Sequence, residues 1–131
     1  MEILLKTICD NAFADQAGKL NIIGIFDEIY APLIPATHPK MTLVFVVKGT
    51  PKKQLNHGFD IEDPSGKKII DSAQNPNIKP AIAGESGVVN IIHNIVNLKL
   101  ESYGKYRVNL YAEGLKESLS FDVKPLPKGN A

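Results

Sequence analysis

Tryptophan is absent from this chain, and cysteine and arginine occur once each. Each scarcity removes a class of explanation. Cys9, alone, forms no internal disulfide, so the fold must stand on a packed core, and a reducing compartment, the cytoplasm, is the expected setting. Arg107 is the only arginine beside a set of lysines, so the bidentate fork that grips phosphates and base edges is nearly missing. No nucleic-acid partner is expected. The pairs Lys52-Lys53 and Lys67-Lys68, beside Pro51 and Gly66, read as solvated loop charge. Without tryptophan, a sugar-stacking platform would have to come from Tyr30, Tyr103 or Tyr111. No segment reaches the roughly 18 uninterrupted apolar residues of a membrane helix. The opening MEILLKTICDNA carries Glu2 and Lys6 inside its apolar patch, unlike a secretory leader. No membrane partner is expected either.

What remains is an ordinary globular composition. The 131 residues suit one domain, spanning 1–131, with 44% apolar and 22% charged residues and a net charge of +1. Short β-branched and aromatic runs are punctuated by Gly, Pro, Asn and Asp, and helix-length periodic segments are scarce. The pattern predicts strands near 2–9, 20–31, 41–48, 55–62, 67–72, 88–100, 105–113 and 117–124.

Two stretches alternate cleanly. In YRVNLYAEGLKESLSFDV, Tyr106, Val108, Leu110 and Ala112 share one parity, Leu119, Phe121 and Val123 share another, and Glu113-Gly114 lies between them. This predicts an antiparallel hairpin with one face in the core and the other in water. LNHGFDIEDPSGKKII reads likewise, with Leu55, Phe59 and Ile61 inward and a turn at Asp63-Pro64-Ser65-Gly66. LNIIGIFDEIY and MTLVFVV are apolar at both parities, so they are expected as central strands, or with an outer face serving as a dimer interface. VVNIIHNIVNLKL changes parity, which predicts a strand with a bulge near His93-Asn94. A helix with Val88, Ile91, Ile92 and Ile95 on one stripe is the alternative, disfavoured by three asparagines and many β-branched residues. The preceding NPNIKPAIAGESG reads as a flexible loop.

Candidate chemistry centres on GIFDEIYAPLIPATHPK. Asp27 and Glu28 are adjacent, so on a strand they face opposite ways and form no carboxylate pair, although His38 could approach either acid from its proline-flanked loop. A hydrolase using Asp27 and His38 would need both in one pocket. His38, His57 and His93 lack the short spacings of a zinc site, so no metal is expected. His57 sits on the inward parity of its strand, where a hydrogen-bonded core-edge role is expected. Cys9 shares the parity of Ile3 and Leu5, as a buried, unreactive thiol would. The GK pairs of QAGKL and PSGKKI lack the spacing of a phosphate loop, and no cofactor is expected.

SYGKYRV resembles the tyrosine-corner stretch of immunoglobulin-like domains: Gly104 and Tyr106 match, while Val108 stands where that family has its cysteine. The resemblance implies that Tyr106 ties its hydroxyl to nearby backbone. GKLNIIGIFDEIYAPLIPATHPKMTLVF together with YGKYRVNLYAEG resembles a family of small bacterial proteins described only as a domain of unknown function. That resemblance implies an immunoglobulin-like β-sandwich with no assigned activity, cofactor or catalytic residues.

The expectation is thus an all-β, single-domain, antiparallel immunoglobulin-like β-sandwich of about seven or eight strands. Its expected role is a non-enzymatic interaction module, meeting a protein partner or itself through end loops or a sheet edge, a homodimer being the form that self-association would take. Asp27, Glu28, His38, Tyr30 and Tyr111 are the candidate interaction or ligand residues. A small-ligand or carbohydrate binder is the alternative, and the Asp27/His38 hydrolase comes third.

Overall fold

The β-branched runs do form strands, and they assemble into open sheets. The structure is a computed structural model that describes residues 1–74 and 78–127. Among the described residues there are eleven strands: β1 (Glu2–Ala14), β2 (Leu20–Ile25), β3 (Glu28–Tyr30), β4 (Ala36–Lys48), β5 (Gln54–Leu55), β6 (His57–Glu62), β7 (Lys68–Asp71), β8 (Ala81–Ile82), β9 (Val88–Leu100), β10 (Gly104–Ala112) and β11 (Leu115–Lys124). One 3₁₀ turn, Ser72–Gln74, follows β7. The first sheet runs β2-β1-β4-β9, the second β3-β11-β10-β6-β7, and β5 pairs with β8 in a separate ribbon.

The strand count exceeds the expected seven or eight because two expected strands divide, one at Phe26-Asp27 and one at Asn56, and because β8 forms within the expected loop. The expected 20–31 strand ends at Ile25, and the chain then crosses to the other sheet, where β3 pairs with β11 in parallel through Asp122↔Glu28 and Val123↔Ile29. A connection that changes sheets is free of the hairpin's antiparallel constraint, so the second sheet is mixed rather than purely antiparallel. LNIIGI is therefore an edge strand, not a central one, with Ile23 and Ile25 exposed at 53% and 68%. MTLVFVV is central as expected: Met41 to Val47 lie between β1 and β9, all buried. Part of the stretch expected as flexible is β8, held antiparallel to β5 by Gln54↔Ile82 and Leu55↔Ala81. Residues 75–77 of that stretch lie outside the described residues.

One core is shared by both sheets. Ile8, Met41, Leu43, Phe45, Val89, Ile91 and Ile95 from the first meet Phe59, Ile61, Tyr106, Val108, Leu110, Phe121 and Val123 from the second. The two alternating stretches read from the sequence supply the second sheet's share at the expected parity. A smaller cluster, Cys9, Ala12, Val44 and Val46 with Leu20, Ile22, Val88 and Ile92 against it, packs separately. Register explains it: Thr7↔Val44↔Ile92 alternates with Ile8↔Leu43↔His93, so Val44 and Val46 point away from the main core. Ile3 packs against the main core, yet Cys9 does not, because the register shifts between Ile3 and Leu5 and reverses the parity that the two share in sequence.

The segment Val88–Leu100 is one strand throughout, with no helix. Its change of face falls at Asn97, three to four residues beyond the expected bulge. Ile91, His93 and Ile95 are buried on one parity and Leu98 and Leu100 on the other, while Asn97 takes φ 53°. The register with β4 is unbroken on either side, Lys40↔Val96 and His38↔Leu98, so both strands turn over together where Pro39 faces Asn97. An asparagine tolerates left-handed backbone that a β-branched neighbour would not.

The tyrosine corner forms. The Tyr106 hydroxyl donates to the Ser102 carbonyl at 2.8 Å and accepts the Ser102 N–H at 3.4 Å, and its ring stacks on Phe121 with centroids 5.1 Å apart.

Candidate functional site

The crossing from β2 to β3 and the start of β4 build a cleft of about 270 Å³ lined by Asp10, Phe26, Glu28, Ile29, Tyr30 and His38. Three of the sequence candidates, Glu28, Tyr30 and His38, come together here. Asp27 does not line it: its side chain is exposed and its carbonyl accepts the Asp122 N–H at 2.8 Å, which stitches β3 onto β11. Glu28 accepts from the Tyr30 hydroxyl at 2.6 Å and from Lys124 Nζ at 2.7 Å. The Lys124 ammonium first, and the Tyr30 hydroxyl second, hold the Glu28 carboxyl below its ordinary range; the same carboxylate pushes Tyr30 up. Glu28 therefore presents a fixed negative charge rather than a transferable proton. The His38 ring lies 5.8 Å from that of Phe26, and its Nε2 is buried without a hydrogen-bond partner. Burial lowers the His38 pKa, which favours the neutral ring.

Tyr111, the fifth candidate, belongs to a different place. It lines a groove of about 480 Å³ on the second sheet with His57, Phe59, Asp60, Lys68, Asp71, Ser72 and others. Asp60 is 1% exposed. Its carboxylate accepts from the Tyr111 hydroxyl and from Asn109 Nδ2, each at 2.6 Å, and Lys68 Nζ stands 3.5 Å away. Asn109 in turn accepts from Ser118 Oγ at 2.7 Å, so one polar rung crosses β6, β10 and β11. Burial by itself would raise the Asp60 pKa, but the donors from Tyr111 and Asn109, with Lys68, outweigh it and hold it below the ordinary value. Tyr111 is pushed up to about 12, by burial and by donating to that carboxylate.

The sequence reading missed Asp60, Asn109, Lys68 and Asp10. Asp60 and Asn109 do stand on the outward parity of HGFDIE and YRVNLYA, but only the register Asn109↔Asp60 makes them neighbours. Likewise, His57 and His93, far apart in sequence, meet between the sheets. His57 Nδ1 lies 3.3 Å from His93 Nε2, and His57 Nε2 3.0 Å from the Lys79 carbonyl. Among the described residues no group of three or more His, Cys, Asp or Glu side chains is placed to hold a metal ion. Cys9 is fully buried, its Sγ 3.4 Å from the Asn11 carbonyl, and burial raises its pKa.

Compared with protein families, residues 4–124 match the model of DUF6941, a family of unknown function. The chain belongs to DUF6941. No curated protein matches it. Among solved structures, the Pseudomonas fluorescens alkylpurine DNA glycosylase AlkC, bound to DNA containing an abasic site analogue, is similar with a TM-score of 0.49 and 13% identity. That match covers 74% of this chain and 27% of the glycosylase. A family 123 glycoside hydrolase from Clostridium perfringens is similar with a TM-score of 0.33 and 19% identity, over 90% of this chain and 26% of the hydrolase. The DUF6941 chain thus spans about a quarter of each of these proteins. Among the described residues, no helix is long and apolar enough to cross a membrane.

Proposed function

We propose that this DUF6941 protein is a non-enzymatic interaction module that meets a protein partner, or a second copy of itself, through the open edge of its first sheet. The observation that carries this reading is the exposure of Ile23 and Ile25 on edge strand β2. An edge strand offers unpaired backbone groups, and natural proteins usually blunt such edges with charge or proline. LNIIGI has neither. Adding a strand to this edge would satisfy its backbone groups and cover both isoleucines. The polar residues of the nearby corner support a structural part for themselves, since Glu28 is engaged by Lys124 and Tyr30, and the Asp27 carbonyl by β11. An immunoglobulin-like sandwich as the architectural type is part of the same proposal, supported by the Tyr106 hook and the core common to two sheets. So is a bacterial, cytoplasmic setting, the latter supported by a single thiol kept buried and unpaired.

The test is sedimentation over a wide concentration range, with capture from lysate alongside, for the wild type and Ile25→Lys. The wild type should gain mass with concentration or retain one stoichiometric protein, and Ile25→Lys should abolish this while melting normally. A wild type that stays monomeric and retains nothing, or an association indifferent to Ile25→Lys, would refute the edge as the contact.

A further inference from the structure

The histidine pair between the sheets is not used by the edge contact, and its setting is unusual for two titratable groups. His57 opens β6 and His93 lies in β9, so the pair joins the second sheet to the first from their facing sides. Because His57 Nε2 points at the Lys79 carbonyl, it carries the proton and donates there; Nδ1 of the neutral ring is then an acceptor, and His93 Nε2 must donate to it. One chain of two N–H donors thus runs from β9 through β6 to the backbone just before β8. The His93 ring lies against that of Phe59, centroids 4.7 Å apart, and the residue is 7% exposed.

Among the described residues that line the groove, no acid is free to meet a charge placed on His57. The acids that share the groove with His57 are Asp60, Asp71 and Glu113, and each is committed elsewhere. Asp60 is held by Tyr111, Asn109 and Lys68; Asp71 takes the Ala73 N–H and Lys68; Glu113 takes the Asn56 N–H. The groove's cation, Lys68, would repel an imidazolium. From the first sheet, the partner facing His57 is His93 itself.

We propose that His57 and His93 form an acid-sensitive latch, which closes the rim of the two sheets and tethers residues 78–82 at neutral pH and opens when the pair takes up a proton. A proton added to His57 Nδ1 would meet the His93 Nε2–H already in the gap, and one added to His93 Nδ1 would leave a cation on the ring packed against Phe59, at a residue 7% exposed. The hydration of either cation is recovered only if a ring leaves the gap, which parts β6 from β9 there and releases the Lys79 carbonyl. Burial and the neighbouring ring push His93 down to about 4, and burial lowers His57 as well. With both folded values below the ordinary histidine value of 6.5, the latch is intact above that pH and weakens as pH falls toward about 4.

Two measurements test this on the whole protein. Nitrogen chemical shifts of the rings should show His93 in the Nε2–H form at neutral pH, and both rings should titrate below 6.5. Amide exchange, corrected for its intrinsic pH dependence, should show residues 78–82 losing protection between pH 7 and 5, while the central strands β4 and β10 keep theirs. His57→Gln, which can still accept from His93 and donate to Lys79, should flatten that pH dependence. If the variant folds poorly, the wild-type ring titration and exchange decide alone. A His93 found as the Nδ1–H tautomer, or protection at 78–82 that is the same at pH 7 and 5, or an unchanged pH dependence in a folded His57→Gln, would overturn the latch.

Discussion

Replacing Tyr106 by phenylalanine isolates one hydroxyl in an otherwise intact core. The ring is 1% exposed and stacks on Phe121, and phenylalanine preserves both the stack and the volume. What is lost is the 2.8 Å bond to the Ser102 carbonyl and the longer one from the Ser102 N–H. A hydrogen bond contributes about 1 kcal/mol net, and leaving its former partner poorly satisfied costs about 1–3 kcal/mol. Ser102 is only half-buried, so water can reach part of it, which places the expected loss near 2 kcal/mol. An unfolding entropy of about 2.1 cal/mol/K per residue over 131 residues turns that loss into a shift in melting temperature. Tyr106→Phe should therefore melt about 7 °C lower by calorimetry, with no change in the denaturant m-value, since the same surface is exposed on unfolding. Tyr103→Phe is the matched control: its hydroxyl donates to the Ala31 carbonyl at the same 2.8 Å, but the residue is 39% exposed against 1% for Tyr106, and its loss should be the smaller. If Tyr106→Phe melts within a degree of the wild type, or Tyr103→Phe loses as much, the Tyr106 hydroxyl does not hold the corner together.

Three further substitutions probe the polar rung and the β1–β2 edge. Asp60 titrates below its ordinary value of 3.8 in the folded state, so the stability it supplies is fully present above that ordinary value and lost as pH falls through the folded one; Tyr111→Phe, by removing the short hydroxyl donor, should move that acid limb of the stability curve to higher pH, and an unmoved limb would discount the Tyr111 bond. Gly24 has φ +71°, and a Cβ there would run into the Asp10 carboxylate, whereas Gly18, with φ +80°, has open space around it. Gly24→Ala should thus cost more than the roughly 1–2 kcal/mol of the backbone strain that Gly18→Ala incurs alone, and equal losses in urea titration would show that Asp10 simply moves aside.

How much of this was readable beforehand follows from what period-two burial can and cannot encode. Parity is local, so Tyr106, Val108, Leu110 and Ala112 could be assigned to the core from a nine-residue window, and the structure buries all four. Reading parity through a strand assumes that the strand never turns over, and three positions break that assumption: the shift at Ile3/Leu5, the left-handed Gly24, and the Pro39–Asn97 crossing. Each reverses the faces of everything beyond it, which is why Ile3 and Cys9 part company and why the apolar run LNIIGI could look central yet end at an edge. Pairing is non-local, and there the sequence was silent. Asp60 and Asn109 are 49 residues apart and His57 and His93 are 36 apart, so neither contact leaves a spacing signature of the kind that betrays a zinc finger or a phosphate loop. The corner candidates fared differently because they are close in sequence: Glu28 and Tyr30 share one face of a three-residue strand, and the chain returns His38 to the same cleft within ten residues. Asp27, one position before β3, lies on the bend that leads into it, so strand alternation does not set its direction; the bend leaves its side chain exposed and outside that cleft.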